Sequence, residues 1–251
     1  MESFNIRIAD LVVRVEPLFQ STYAYFRKYV TDFSHDYSVC VVDEDLVFEQ
    51  RMLDIEAQEE GLRLREFTGP FLERTAIQRK IAIELLKRNT LLLHGSTIGL
   101  DGEAYLFTAA CGTGKSTHTR LWRECFGSRT VMINDDKPFL KIGNDTVTAY
   151  GSPWSGKHGL DSNISLPLKG ICILNRGSEN RIYRITAEQA RSMLFHQSFF
   201  PVDAVLQDKS KALVENLMRL VPLWEMSCNK DPEAAFVSCS AMTGNDIFRN
   251  Q

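Results

Sequence analysis

The stretch with the strongest hold on the fold is YLFTAACGTGKST, residues 105–117. Tyr105, Leu106 and Phe107 suit a strand, and the small residues after them suit a loop. From Lys115 onward, Leu121, Trp122, Cys125 and Phe126 share one face of a helix. A strand that turns through glycines into a helix must bury itself in a sheet and lay the helix against it, so the chain is read as α/β. Gly112 and Gly114 let the backbone curl until successive N–H groups point at one centre, where the helix N-terminus adds partial positive charge. This is the construction of a phosphate-binding loop, G-x-x-x-x-G-K-[ST]. In it Lys115 reaches the β- and γ-phosphates, the Ser116 hydroxyl ligates Mg²⁺, and Thr117 continues the first helical turn. Ala110, Cys111, Gly112, Thr113, Gly114, Lys115, Ser116 and Thr117 make up the expected cofactor cage. Ala109 stands where the pattern has its first glycine, a tolerable exchange if its backbone stays in an ordinary region. The competing reading is a chance glycine loop at a strand–helix junction.

Positive charge for such a cage has to be local, because 29 Lys and Arg are interspersed with 32 Asp and Glu, for a net charge of -3. No nucleic-acid or membrane partner is expected. The 251 residues, 44% hydrophobic and 24% charged, have globular proportions. No run of about 18 apolar residues is present to span a bilayer. The opening Met1-Glu2-Ser3-Phe4-Asn5 lacks the basic and apolar character of a leader, so a cytoplasmic location is expected. Cys40, Cys111, Cys125, Cys172, Cys228 and Cys239 form no C-x-x-C pair and are read as reduced core residues.

Along the chain, 4–15 alternates apolar and polar residues as one or two strands do, 21–33 suits a short aromatic-rich helix, and 38–42 a strand. Ile77, Ile81 and Leu85 recur every four residues in 72–88, with Arg74, Gln78, Lys80, Glu84 and Lys87 on a solvated side, predicting an amphipathic helix. Runs 91–93 and 104–107 read as strands flanking the hairpin pair Asp101-Gly102. Further strands are expected at 130–133, 139–142 and 146–150, with a turn at 143–145. Another pair is expected at 170–174 and 181–185 around 177–180. Thr186 to Gln189 has capping-box spacing and starts a helix; 209–220 is another. The change near Phe67-Thr68-Gly69-Pro70 divides the chain into a small α+β N-terminal portion, 1–70, and a catalytic domain, 71–251.

A phosphate loop needs a second metal ligand, and the apolar run 131–133 ends in Asn134-Asp135-Asp136. That order places two carboxylates at the carboxyl end of a strand beside the loop. One acid would hold Mg²⁺ while its neighbour accepts a proton from an incoming hydroxyl. Two adjacent acids alone are more often a solvated turn, but the strand before them and the lysine loop upstream reverse that preference. His94 follows Leu91-Leu92-Leu93 at a strand end. By itself it reads as a hydrogen-bonded structural histidine.

The ordering of Leu93-His94-Gly95, a hairpin, Thr108 through Ser116, then Asn134-Asp135-Asp136 resembles the catalytic domain of the HPr serine kinase/phosphorylase family, whose core is similar to phosphoenolpyruvate carboxykinase. The resemblance spans residues 89–174. It implies a strand-rich mixed sheet around the loop with helices outside, and ATP, or another nucleoside triphosphate, with Mg²⁺ as cofactors. It also implies an active-site role for His94, and Asp135 and Asp136 dividing metal contact and base between them. Family relatives form oligomers, so a homo-oligomer is among the implied partners. At 167–171 the family's glutamate-containing signature is only faintly similar and no glutamate stands there. The family's large N-terminal domain has no match in 1–70. The resemblance therefore implies a stand-alone kinase relative acting on a hydroxyl-bearing acceptor other than HPr: a serine of a peptide or protein, or a small molecule.

Outside the resemblance, Gly151-Ser152-Pro153-Trp154-Ser155-Gly156-Lys157-His158-Gly159 gathers a cation, an imidazole and an indole in one loop. Lys157 either balances charge on a transferring phosphoryl group or belongs to a surface loop with one half-buried tryptophan. Asn175-Arg176 is a lesser candidate for the same role. Phe195, Phe199 and Phe200 read as core. Two function classes follow: a kinase for a hydroxyl, or a nucleotide-binding module without transfer chemistry. A carboxykinase reaction is a third, for which no further metal ligands stand out.

Overall fold

A computed structural model describes residues 2–59, 61 and 63–245. The chain packs as two compact units, Met1–Leu85 and Leu86–Gln251. In the first, β1 (Phe4–Ile8) and β2 (Leu11–Glu16) form an antiparallel hairpin, and β3 (Tyr37–Cys40) lies parallel to β2. Strict alternation carries this sheet: Ile6, Ile8, Leu11, Val13 and Val15 are wholly buried while Arg7 and Arg14 face outward. The aromatic segment after β2 is helical only as α1 (Ser21–Phe26) and a single 3-10 turn (Arg27–Tyr29), shorter than the composition suggests. It is followed, after β3, by α2 (Asp43–Glu59), whose apolar residues are spread around the helix, with Val47, Met52 and Ile55 exposed, so that it escapes a periodicity reading, and by α3 (Gly69–Lys87).

The second unit is a mixed sheet with helices. Its strands are β4 (Thr90–Leu92), β5 (Ser96–Leu100), β6 (Glu103–Thr108), β7 (Thr130–Asn134), β8 (Phe139–Ile142), β9 (Val147–Tyr150), β10 (Ser165–Arg176), β11 (Arg181–Arg184) and β12 (Leu223–Cys228). Its helices are α4 (Lys115–Phe126), α5 (Ala187–Gln197), α6 (Ala204–Leu220) and α7 (Glu233–Thr243). The hairpin at Asp101-Gly102 forms with both residues at positive φ, 51° and 85°, but its first arm is β5, with polar Ser96 and Thr97, rather than the apolar 91–93 run. That run is β4 and pairs with β8. Likewise β10 and β11 do not pair with each other, because β12 inserts between them. The capping box at Thr186 opens α5 as read, and Phe195 stacks on Phe200 against the core.

Strand direction positions everything that follows. β5 runs antiparallel to both β6 and β7, and β10 runs parallel to both β6 and β12. The carboxyl ends of β7, β6, β10 and β12 therefore emerge on one edge of the sheet, where an α/β fold leaves its crevice. All six cysteines are free; only Cys172 and Cys239 are buried, so reading the whole set as core overstates it.

Candidate functional site

At the carboxyl end of β6 the chain enters the glycine loop, 109–114, and then α4. Gly112 has φ 71° and Gly114 φ 127°, values that an L side chain rarely adopts. Ala109 is fully buried and is not among the positive-φ residues, so its side chain is accommodated without strain. Lys115, 9% exposed, turns back so that Nζ donates to Ala109 O at 3.1 Å. Burial holds its pKa below the ordinary lysine value, with Lys137 adding to the effect; Cys111 and the two aspartates oppose it. Ala110, Cys111 and Gly112 are exposed, and Thr113, Gly114, Ser116 and Thr117 half-buried.

The acids arrive at the end of β7, two strands over. Ser96 Oγ donates to Asp135 Oδ1 at 2.6 Å and lies 2.8 Å from Thr119 Oγ1. One hydroxyl thus ties the carboxylate to the first turns of α4, four residues beyond Lys115. Asp135 is 6% exposed, whereas Asp136 is half-buried, with Oδ1 3.1 Å from His94 Nε2 and 3.8 Å from Lys137 Nζ. Burial alone would raise the Asp136 pKa. The His94 hydrogen bond and the charges of Lys137 and Lys115 outweigh it and hold the carboxyl below its ordinary range. Burial pushes the His94 pKa down, more than its bond to Asp136 restores.

His94 is clamped at its backbone: its N–H donates to Gln197 O at 2.7 Å, and its carbonyl accepts from Thr108 Oγ1 at 2.9 Å. The next residue, Gly95, donates to Asp136 O at 2.9 Å. A Cβ there would lie 3.0 Å from Leu106 Cδ2 and 3.1 Å from Phe107 O, so the close approach of this turn to β6 favours glycine. The structure thus joins His94, the end of β6 and the acid pair, which the residue pattern alone left as separate signals.

Asn134 fastens the 151–159 loop to the acids. Its Oδ1 accepts from the backbone N–H groups of Asp136 and Lys137 at 2.8 and 2.6 Å, and its Nδ2 donates to Ser152 O at 2.8 Å and Trp154 O at 3.3 Å. Gly156 packs beside Asp136, where an added Cβ would lie 3.4 Å from the Asp136 Cβ. Trp154 is buried edge-to-face against Phe139, while Lys157 and His158 are exposed. Of the lesser pair, Asn175 bonds Glu225 instead, whereas Arg176 Nη2 donates to Gly112 O at 2.5 Å, on the opposite flank of the glycine loop from the acids. Sequence reasoning missed Ser96 and Thr119, which are hydroxyls of regular elements with no local signature. It also missed Lys137 and Asn134 as site residues, although an asparagine before paired acids at a strand end signals a side-chain-capped turn.

Among the described residues no group of three or more His, Cys, Asp or Glu side chains is placed to hold a metal ion. Ser116 and Asp135 offer hard oxygen donors, a set that suits Mg²⁺, which binds through one or two carboxylates and keeps water and phosphate oxygens as its other ligands. No described helix is long and apolar enough to cross a membrane. The sequence matches no protein-family model and no curated protein. Among solved structures the chain is similar to the HPr(Ser) kinase/phosphatase from Coxiella burnetii, with 12% sequence identity and a TM-score of 0.29 over 51% of this chain and 88% of that one.

Proposed function

We propose that the chain is a kinase that uses ATP and Mg²⁺ to transfer the γ-phosphoryl group to a hydroxyl, that of a serine in a peptide or protein or of a small molecule. The observation that carries this reading is the Ser96 hydroxyl joining Asp135 to Thr119. It sets one carboxylate at the foot of the helix that opens with Lys115, while the adjacent carboxylate faces His94. The loop N–H groups and Lys115 hold the phosphates, and the desolvated ammonium gains strength as a partner for a polyanion. Ser116 and Asp135 are the groups that would hold Mg²⁺, which when bound neutralises charge on the β- and γ-phosphates.

Asp136 is the more accessible acid and takes the acceptor's proton. Neutral His94, with its Nε2–H on Asp136 Oδ1, orients that carboxylate. The depressed pKa keeps Asp136 ionised, so its carboxylate both positions the attacking hydroxyl and accepts the proton, and removing its charge costs both contributions. Lys157, exposed on a loop whose Gly156 abuts Asp136, would meet an incoming anionic group.

The test uses slow ATP hydrolysis, with water as the acceptor. Lys115→Ala should abolish ATP binding in titration calorimetry. Asp136→Asn should retain binding and lose about 100-fold or more of the hydrolysis rate. Hydrolysis by Asp136→Asn at the wild-type rate would leave a nucleotide-binding module without transfer chemistry.

A further inference from the structure

The two flanks of the glycine loop differ in the cations they present. On the flank away from the acids, β10 and β12 run parallel to β6 and open a cleft of roughly 600 Å³ lined by His118, Arg176 and Lys230. There Arg176 is tied to Gly112 O, and burial keeps the His118 ring neutral, its pKa pushed down to about 3, with Nε2 2.9 Å from Ser238 Oγ. On the acid flank stands Lys137, which the proposed mechanism leaves without a role.

The backbone of Lys137 is held at both its N–H and its carbonyl. The N–H is shared between Asn134 Oδ1 at 2.6 Å and Trp154 O at 3.2 Å, and the carbonyl accepts from Ser152 Oγ at 2.7 Å. Its neighbours are braced against the His94 turn: Asp136 O accepts from Gly95 N–H at 2.9 Å, and Pro138 O accepts from Leu93 N–H at 3.2 Å. The ammonium at the end of this fixed stem is by contrast uncommitted. Its one ion-pair partner among the described residues is Asp136 Oδ1 at 3.8 Å, an oxygen that already accepts from His94 Nε2 at 3.1 Å. A charge-assisted hydrogen bond closes to about 2.8 Å, so the three donors of Lys137 Nζ stay open. The side chain is 29% exposed, enough to meet a ligand and too little for full hydration. Its charge bears on both Lys115 and His94, where it opposes protonation. Two ammonium groups thus converge on the space before the acids, and an anion placed there meets both.

We infer that Lys137 is a second phosphate-binding cation, one that touches only the terminal phosphoryl group and so makes the site distinguish a triphosphate from a diphosphate. The inference rests on the nucleotide reading above, in which the γ-phosphoryl faces Asp136. Strand order supplies the selectivity. The glycine loop follows β6 and Lys137 follows β7, with β5 between them, which sets the two carboxyl ends roughly 10 Å apart at the spacing of neighbouring strands. Lys115, folded onto Ala109 O at the foot of the loop, serves the phosphates that the loop encloses. Lys137 meets a polyphosphate only at the end that leaves the loop, and a diphosphate seated there stops short of it.

Calorimetry on the intact protein tests this with ADP and with the β,γ-imido analogue of ATP. Lys137→Met keeps the stem and both backbone contacts and removes the charge. It should weaken the analogue about tenfold, the loss of one charge-assisted hydrogen bond, and leave ADP within about twofold. An unchanged analogue, or equal weakening of both ligands, overturns the assignment. The wild type supplies a second readout that does not depend on the variant's folding. Under reductive methylation followed by peptide mass spectrometry, the analogue and inorganic tripolyphosphate should each slow modification of Lys137, and ADP should not. Protection of Lys137 by ADP to the same degree, or by none of the three, overturns the assignment and leaves the loop intact as a nucleotide site. Binding of neither nucleotide by the wild type removes the nucleotide reading, and this inference with it.

Discussion

Both units of this protein bury carboxylates, and they treat them in opposite ways. In the first unit Glu49 meets Arg79 at 2.5 Å, and Asp45 meets Arg79 at 3.0 Å and Lys80 at 2.6 Å. The Arg79 guanidinium also lies over Phe48. Glu73, fully buried, accepts from Leu18 N–H and from Thr22 Oγ1. These acids are closed into networks of fixed partners. In the second unit Asp135 has a neutral hydroxyl partner in Ser96, Asp136 has an imidazole at 3.1 Å with the Lys137 ammonium no nearer than 3.8 Å, and Lys115 is desolvated against a carbonyl. The difference bears on the proposed function: charges satisfied by their own fold stabilise it, and on that proposal the charges left with spare capacity at a strand edge are the ones that meet a ligand.

The sharpest way to break this comparison is Asp135→Asn. The amide oxygen still accepts from Ser96, so the unfolding free energy should stay within about 0.5 kcal/mol of wild type, while Mg²⁺-dependent ATP hydrolysis falls about 100-fold or more. A large loss of stability with hydrolysis intact would make Asp135 structural like its counterparts in the first unit. Arg79→Ala should do the reverse. Stranding Glu49, while Asp45 keeps Lys80, should cost about 2–4 kcal/mol in denaturant unfolding with ATP affinity unchanged.

Protonation separates the regions as well. Burial raises the Glu49 pKa above 4.5 despite Arg79, so its contribution to stability is full below that value and is lost as pH rises through the folded-state pKa. For Asp136, held below 3.8, the contribution is present above that value and is lost as pH falls through the lower folded-state pKa. Glu49→Gln should therefore flatten the stability profile above pH 4.5, and Asp136→Asn should flatten it below pH 3.8; coincident changes would erase the distinction. By NMR titration His94 should protonate below 6.5, and lower still in Asp136→Asn, because that carboxylate raises the histidine's pKa. An upward shift in the variant would mean the two groups do not interact. The smallest effect is expected at Lys157. Lys157→Ala should reduce turnover a few-fold with little change in ATP affinity, and equal turnover would assign that side chain to the solvent surface.

The glycine loop, the acids after an apolar run and the capping box at Thr186 were legible from residue order because each is a local device: neighbours within a few positions supply its geometry. Periodicity located α3 for the same reason. It missed α2, whose apolar residues do not gather on one face, and it mispaired β4 and β10, since apolar composition says that a segment is a strand without saying which strand lies beside it.

By itself the sequence determined that a strand turns through Gly112 and Gly114 into a helix headed by Lys115, and that two acids end a later strand, because backbone freedom and side-chain chemistry at those positions are local properties. Tertiary structure alone decided that Ser96 and Thr119 join the acid to the helix, that Asn134 rivets the 151–159 loop beside Asp136, and that β10 and β12 open a cleft at His118. Those partners lie from 18 to 120 residues apart, and only the order and direction of strands in the sheet bring them together.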